Sequence, residues 1–503
     1  MRDETEKIFD AEEAMIVTLY PDSESKTGDE KVFWYNDGEE IKINRQQFLM
    51  ALEKSGFRKF YIGRDYMFVQ VENNIVIEVG TVQIKDYITS FIKSLSDELA
   101  EQYDANIILG KVINQAPTLF SKSFLEFLPN LEDNFKRDTR EESFIYFKNC
   151  FVKVTKDEYI TYDYAQLDEL IWKKKIISKN FSISDEESDF KTFVLRICKG
   201  NIERFNSFMS AIGYLLSEYK DPAKAKAIIF MDEKIDDGSN GGCGKSLLGN
   251  ALSQVRKSLR LGGKAFKFDR FSFQSYEPGT NIIEFNDLSR SFPFEMLFTA
   301  ITDNMAFEKK NKDETIVDFK HAPKILLSTN YTIKGVGEST LRRQFVLEFT
   351  DHYNIKHSPE DEFKGRFFDD WEDNEWNSFF NFMIKCLQYH LQNGLVDYER
   401  KNLNTKKLVE STSEEFVEFM EDIEFGTKID KKILHQKFLE IYPDFKKLQQ
   451  KTFTGWIKSY AKLKNYKYED KKSGSERGFI LSKIDDGRMD EQNSGSEGEG
   501  DVF

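Results

Sequence analysis

A run of buried-type residues, Ala227-Ile-Ile-Phe-Met231, leads into Gly238-Ser-Asn-Gly-Gly-Cys-Gly-Lys-Ser246 and then into a segment of helical character. This junction constrains the fold more than any other stretch. Glycine is costly to order, so a glycine-dense loop between strand and helix implies that its backbone must be approached closely. The loop matches most of the phosphate-cradling pattern G-x-x-x-x-G-K-[ST]. One departure is visible: the pattern's first glycine falls on Ser239, and Gly238 lies one place early. Backbone N–H groups can surround phosphate oxygens only where side chains do not intrude, which is the use of glycine at 241, 242 and 244. The following helix start adds positive potential. The expected nucleotide-binding residues are Gly241, Gly242, Cys243, Gly244, Lys245, Ser246 and Leu247. The expected ligand is ATP with Mg²⁺, Lys245 reaching the β/γ-phosphates and Ser246 the metal. The competing reading is a chance Gly-rich turn ending in Gly-Lys-Ser.

Three further elements follow in order. The strand Asn281-Ile-Ile-Glu-Phe-Asn-Asp287 ends in polar side chains, and Asp287 is the only carboxylate at its tip. Asp287 is therefore the expected metal and water-activating acid, with Glu284 pointing elsewhere on the strand. The strand Lys324-Ile-Leu-Leu-Ser-Thr-Asn330 ends in an amide able to orient water beside a γ-phosphate. Leu341-Arg-Arg-Gln-Phe345 then places two guanidinium groups where packing asks for neither, and Arg343 or Arg342 could reach a neighbouring subunit's site. Strands alternating with helices up to about residue 350 predict an α/β core.

Strand–Lys-Ser, strand–Asp, strand–Asn and Arg, in this order, resemble superfamily 3 helicases, the AAA+-related ring helicases of small DNA viruses, phages and plasmids. The segment Ile301-Thr-Asp-Asn-Met-Ala-Phe-Glu-Lys-Lys-Asn-Lys312 running into His321-Ala-Pro-Lys-Ile-Leu-Leu-Ser-Thr-Asn330 looks like that family's B′ motif followed by its motif C. The resemblance covers about 185–395 and is similar to the helicase part of phage and plasmid primase–helicases. It implies an AAA+-like P-loop ATPase core, a ring oligomer (a hexamer is expected) moving 3′→5′ on single-stranded DNA, and forked DNA as substrate. It also implies that Lys309, Lys310 and Lys312 face DNA in the central channel; a solvated lysine-rich turn is the alternative.

The expected divisions are a lead-in at 1–30, an α+β N-terminal region at 31–182, helical residues 183–222, the ATPase core at 223–350, its helical continuation at 351–424, a basic domain at 425–484 and an acidic tail at 485–503. Within them, one helix is expected over 45–54, one long helical stretch over 189–219, and one helical stripe from Trp376 to Leu391 ending at Gly394. Residues 31–182 carry no D-x-D plus S-x-H constellation and no zinc-finger cysteine set, so priming activity is not expected there.

Charge is unevenly placed. The chain of 503 residues has a formal net charge of −15, which at face value argues against a polyanion partner. Residues 425–483, however, carry 15 Lys/Arg against 6 Asp/Glu, whereas 485–503 carry 1 against 7. A compact basic block inside an acidic chain is the footprint of a small nucleic-acid module. The pattern predicts a helix over 431–441, a second to about 463 that buries Phe453, Trp456, Ile457 and Tyr460 and turns Lys458 and Lys462 outward, and two final strands. This outlines a winged-helix-like domain; a solubilising appendage is the bland alternative. The tail ends in Val502-Phe503 after a run of acids. It resembles the tails by which bacterial and phage single-strand-binding proteins and some phage replicative helicases dock on partners, implying a polymerase or other replisome protein. It could also fold back on the basic block, or be inert.

With 46 phenylalanines the chain can bury large cores, and no window approaches the ~20 apolar residues of a membrane span. Four scattered cysteines have no metal-like or disulfide-like spacing. A soluble, intracellular protein is expected, cytoplasmic in a bacterial host if encoded by a phage or plasmid. Two other classes stay open: a replication initiator or DNA-loading ATPase that does not unwind, and a scaffold that binds nucleotide only for assembly.

Overall fold

The computed structural model describes residues 32–63, 65–95, 99, 102–233, 242–289, 292–308, 314–331, 338–400, 408–409, 411–423, 425–473 and 476–483. Gly241, Lys309, Lys310, Lys312, the lead-in 1–30 and the tail with Phe503 lie outside the described residues.

At the centre is a five-stranded sheet whose strands run parallel. Across it lie Ser258–Gly262, Ile282–Asn286, Lys324–Thr329, Ala227–Asp232 and Gln344–Phe349. Ile228 sits opposite Leu326 on one side and Phe345 on the other. The two-residue period of a strand divides its side chains between two faces. Ile228, Phe230, Ile282 and Leu326 join one apolar cluster, while Ile229, Met231, Ile283, Phe285, Ile325 and Leu327 join another. Burial on both faces explains why these strands read as near-continuous apolar runs. The strand at 258–262 was not expected, because Ser258-Leu-Arg-Leu-Gly lies at the sheet edge and only partly buries its side chains.

Helices Asp189–Ile197, Ile202–Leu216, Lys245–Ser253 and Asp373–Asn393 cover the first face. The single helix expected over 189–219 is in fact two. Lys199 and Gly200 adopt φ of 49° and 69°, which a right-handed helix cannot contain, and Asn201 then caps the second helix by accepting from Arg204 N–H. The helix at 45–54 and the stripe ending before Gly394 appear as expected.

The N-terminal region is α+β, with antiparallel pairing through 57–79 and 142–162. It is not separately packed: Ile145, Phe147, Val152, Val154 and Phe181 belong to the same apolar cluster as the helices on the central sheet. A buried ion cluster joins the two parts. Arg256, just beyond the 245–253 helix, donates to Leu216 O at 2.7 Å and Phe144 O at 2.9 Å, and lies 3.3 Å from Glu218 and 3.5 Å from Asp138. Lys175 meets the other oxygen of Glu218 at 2.6 Å. Burial opposes the charge of Glu218, but Lys175 and Arg256 overcome it and hold the carboxyl down at about 2.

The C-terminal part contains helices Glu414–Glu421, Lys431–Ile441 and Gln450–Leu463 and an antiparallel hairpin of Tyr466–Ser473 with Glu476–Lys483. Its apolar cluster runs from Leu408 to Leu481, so its packing begins ahead of residue 425. Among the described residues no helix is long and apolar enough to cross a membrane.

Candidate functional site

Residues 242–247, Asp287 and Asn330 lie at the carboxyl edge of the parallel sheet, where open α/β sheets bind ligands, whereas Arg342 and Arg343 precede the strand at 344–349 and lie at the amino edge. Gly244 caps the 245–253 helix with φ of 98° and, having no side chain, itself satisfies none of the helix's first N–H groups. Those donors and the helix dipole are thus left for an anion. A Cβ on Gly244 would meet the Phe193 ring at 2.7 Å, and Gly242 has φ of 105°. Backbone conformation and space therefore both demand glycine here.

Lys245 is buried, and its Nζ lies 2.6 Å from Asn330 Oδ1 and 2.6 Å from Asp232 Oδ2. Cys243 also donates to Asp232, and burial pushes its thiol up to about 12, so it stays neutral. The strand ends at 232 and 330 thus converge on the lysine from two sides. Asp232 was missed in the sequence; the only signal was that it is the first acid after the apolar run.

The cleft beside this lysine has a volume of about 970 Å³ and is lined by Ser246, Leu247, Asn286, Asp287, Ser328 and Asn330, among others. Asp287 has φ of 56°, a left-handed value uncommon outside glycine, asparagine and aspartate. Hydrogen bonds fix this tip: Leu288 N–H donates to Ser328 O at 2.9 Å and Gly263 N–H to Asn286 O at 2.6 Å. The Asp287 carboxylate is half exposed and meets Lys264 at 2.7 Å. Glu284 does not line the cleft. It is buried at 2% exposure against Gly249 and paired with Arg260 at 2.9 Å, and burial raises its pKa.

A further part of the lining, Ser358–Glu360 and Gly365–Asp369, was not anticipated. It brings Arg366, Phe367 and Phe368 to the cleft, a cation and two rings, with Phe367 packed on the Phe193 ring that lies against Gly244.

Neither arginine of the expected finger lines this cleft. Arg343 donates to Ser339 O at 2.9 Å and Ser339 Oγ at 2.7 Å and lies 4.5 Å above the Phe298 ring. Arg342 is exposed. Strands Met305–Phe307 and Thr315–Val317 pair as a hairpin at the position of the B′-like segment; the three lysines between them lie outside the described residues. On the 450–463 helix, Phe453, Ile457 and Tyr460 are buried and Trp456 partly so, while Lys458 and Lys462 are exposed, as the periodicity predicts. Lys458 leans over the Tyr468 ring at 5.3 Å.

No family profile and no curated protein matches the chain. Among solved structures it is similar to the apo NrS-1 C-terminal region (305–718), at 15% identity and a TM-score of 0.40 over 86% of this chain and 98% of that one. The A-form apo structure of the NrS-1 C-terminal region gives 14% and 0.39 over 86% and 98%. JCV helicase bound to a thiazolopyridinyl-phenoxyphenyl acetamide gives 14% and 0.22 over 32% and 45%.

Proposed function

We propose that the chain is an ATP-dependent DNA helicase of superfamily 3 type, acting in phage, plasmid or viral DNA replication as a ring oligomer on single-stranded DNA. The observation that carries the reading is Lys245, held at the mouth of an uncapped helix between Asp232 and Asn330, facing a cleft that Asp287 also lines. The loop fits a triphosphate, because Gly242 and Gly244, both at left-handed φ, put no side chain on the backbone that leads into the 245–253 helix. Ser246 and Asp287 are the hard oxygen donors that would hold Mg²⁺. Phosphate oxygens compete with Asp232 for Lys245, and Asp287 takes the proton of the attacking water while Asn330 orients it. In an assembled ring an arginine from a neighbour enters the same cleft, and exposed Arg342 is better placed than Arg343.

DNA contacts are assigned to Lys309, Lys310 and Lys312, and to Lys458 and Lys462 of the basic C-terminal unit, which we read as winged-helix-like. The acidic tail ending in Phe503 is assigned to a replisome partner.

The test is ATP hydrolysis with and without single-stranded DNA, followed by unwinding of a forked duplex. Stimulated hydrolysis with unwinding, both lost in Lys245→Ala, is the expected result. A second reading, an initiator or DNA-loading ATPase, is favoured by the basic helix–helix–hairpin unit and by Asn286 where a second acid would stand. Hydrolysis without unwinding would select it, and nucleotide binding without hydrolysis would leave only a scaffold.

A further inference from the structure

Past the last strand of the central sheet the chain doubles back, Asn354 bridging His357, and enters a short helix, Pro359–Phe363. The fold brings His352, His357 and Glu362 together, with one ligand-type atom from each lying within 4.8 Å of the others. Both imidazoles aim at one oxygen: His352 Nε2 is 3.1 Å and His357 Nε2 3.6 Å from Glu362 Oε2. Donors bound tetrahedrally to zinc at 2.0–2.1 Å stand about 3.3–3.4 Å apart, so the two separations bracket one tetrahedral edge.

The surroundings suit a bound ion. Arg196 Nε donates to Glu362 Oε1 at 2.8 Å and Tyr353 OH to Oε2 at 2.8 Å, orienting the carboxylate as outer-shell partners do. The side chains are 27%, 43% and 19% exposed in the order His352, His357, Glu362, so an ion can enter and water can complete its coordination. The charge of Arg196 opposes a cation; two neutral imidazoles and one carboxylate must outweigh it.

The geometry points to a three-ligand site for a divalent transition metal of the zinc type, built from His352, His357 and Glu362. It does not depend on what the neighbouring cleft binds. It adjoins that cleft, because a Cβ on Gly242 would lie 3.6 Å from the Asn354 carbonyl carbon, and Ser358 to Glu360 form part of the cleft wall. A bound ion would therefore tie the turn at 352–357 to the wall that follows it.

The full chain, stripped with chelator and kept in excess Mg²⁺ without nucleotide, should take up one Co²⁺ with the visible absorbance of a tetrahedral N/O site, displaced by one equivalent of Zn²⁺. Glu362→Gln should weaken binding at least tenfold, and the paired substitution His352→Gln, His357→Gln should abolish it. Because those variants can misfold, the wild-type chain supplies a second readout. Zn²⁺ should protect His352 and His357, but not His321, from diethyl pyrocarbonate, mapped by mass spectrometry. If the imidazoles only pair with the carboxylate, Co²⁺ gives no stoichiometric band and Zn²⁺ gives no selective protection. Either result, or uptake unchanged in a folded paired variant, overturns the assignment.

Discussion

Two carboxylates three residues apart, one within the strand at 282–286 and one just past its tip, have opposite surroundings. Asp287 stands in the cleft and Glu284 lies buried against Arg260. Asp287→Asn should therefore lower ATP turnover by ~10²–10⁴-fold, the usual worth of a positioned base. Glu284→Gln should keep turnover within a few-fold while lowering the unfolding midpoint. The reverse ranking in a steady-state assay would show that the wrong strand face meets the nucleotide. A second residue sets an acid limit. Burial, and then the charge of Lys324, drive His390 down to about 3, against ~6.5 in an unfolded chain. Between those values the unfolded state binds a proton that the folded state refuses. The contribution of His390 is thus complete above pH 6.5 and lost as pH falls, by up to ~1.4 kcal/mol per pH unit. In urea melts, the gap between wild type and His390→Leu should shrink from pH 7 to pH 5; a constant gap would discount the histidine.

Elements built from local chemistry were legible, and elements defined by what they pack against were not. The 245–253 helix and its cradle are encoded within a dozen residues, as are the caps of the 45–54 and 431–441 helices. The edge strand at 258–262 takes its form from a distant partner, so no spacing announces it. The wall at 358–369 starts with a local signal, Ser358 and Asp361 closing a capping box around Pro359, but its place at the cleft depends on tertiary packing. The break at 199–200 was readable in principle, since Lys-Gly-Asn is a stop signal followed by a cap, but the apolar periodicity continues across it and conceals the break. Packing between helices also rests on one small residue. A Cβ on Gly213 would meet Cys386 O at 2.1 Å and His390 Cβ at 2.6 Å. Although alanine favours helices, Gly213→Ala should destabilise by about 1–3 kcal/mol, because backbone on the 373–393 helix cannot give way. A rise in the melting temperature of that variant would refute the close approach.

In the proposed ring the two arginines become separable. Arg343 is anchored within its own chain, so Arg343→Ala should cost stability, whereas Arg342→Ala should cost activity alone. If the site is shared as proposed, mixing Arg342→Ala subunits with Lys245→Ala subunits should restore part of the ATPase, since each would lack a different half of it. No restoration at any ratio would place whole sites within single subunits. This division was only half visible in the sequence: the Arg-Arg pair stands out, but which member is free depends on Ser339, Thr302 and Phe298.

The ion cluster around Arg256 has a consequence for how such a chain can change over generations. Exchange of whole modules needs a joint where each side is self-sufficient, and the boundary near 182 is not one. A replacement N-terminal region would have to supply both a carboxylate where Asp138 stands and a backbone carbonyl where Phe144 stands, or leave a buried guanidinium just past the cradle helix with only Leu216 O and Glu218 as partners. It would also have to refill the apolar space of Phe147 and Phe181. Residues 31–182 are thus bound to descend with the central sheet rather than be traded, whereas the unit beginning near Leu408, with its own apolar core, is the part of the chain that recombination can replace.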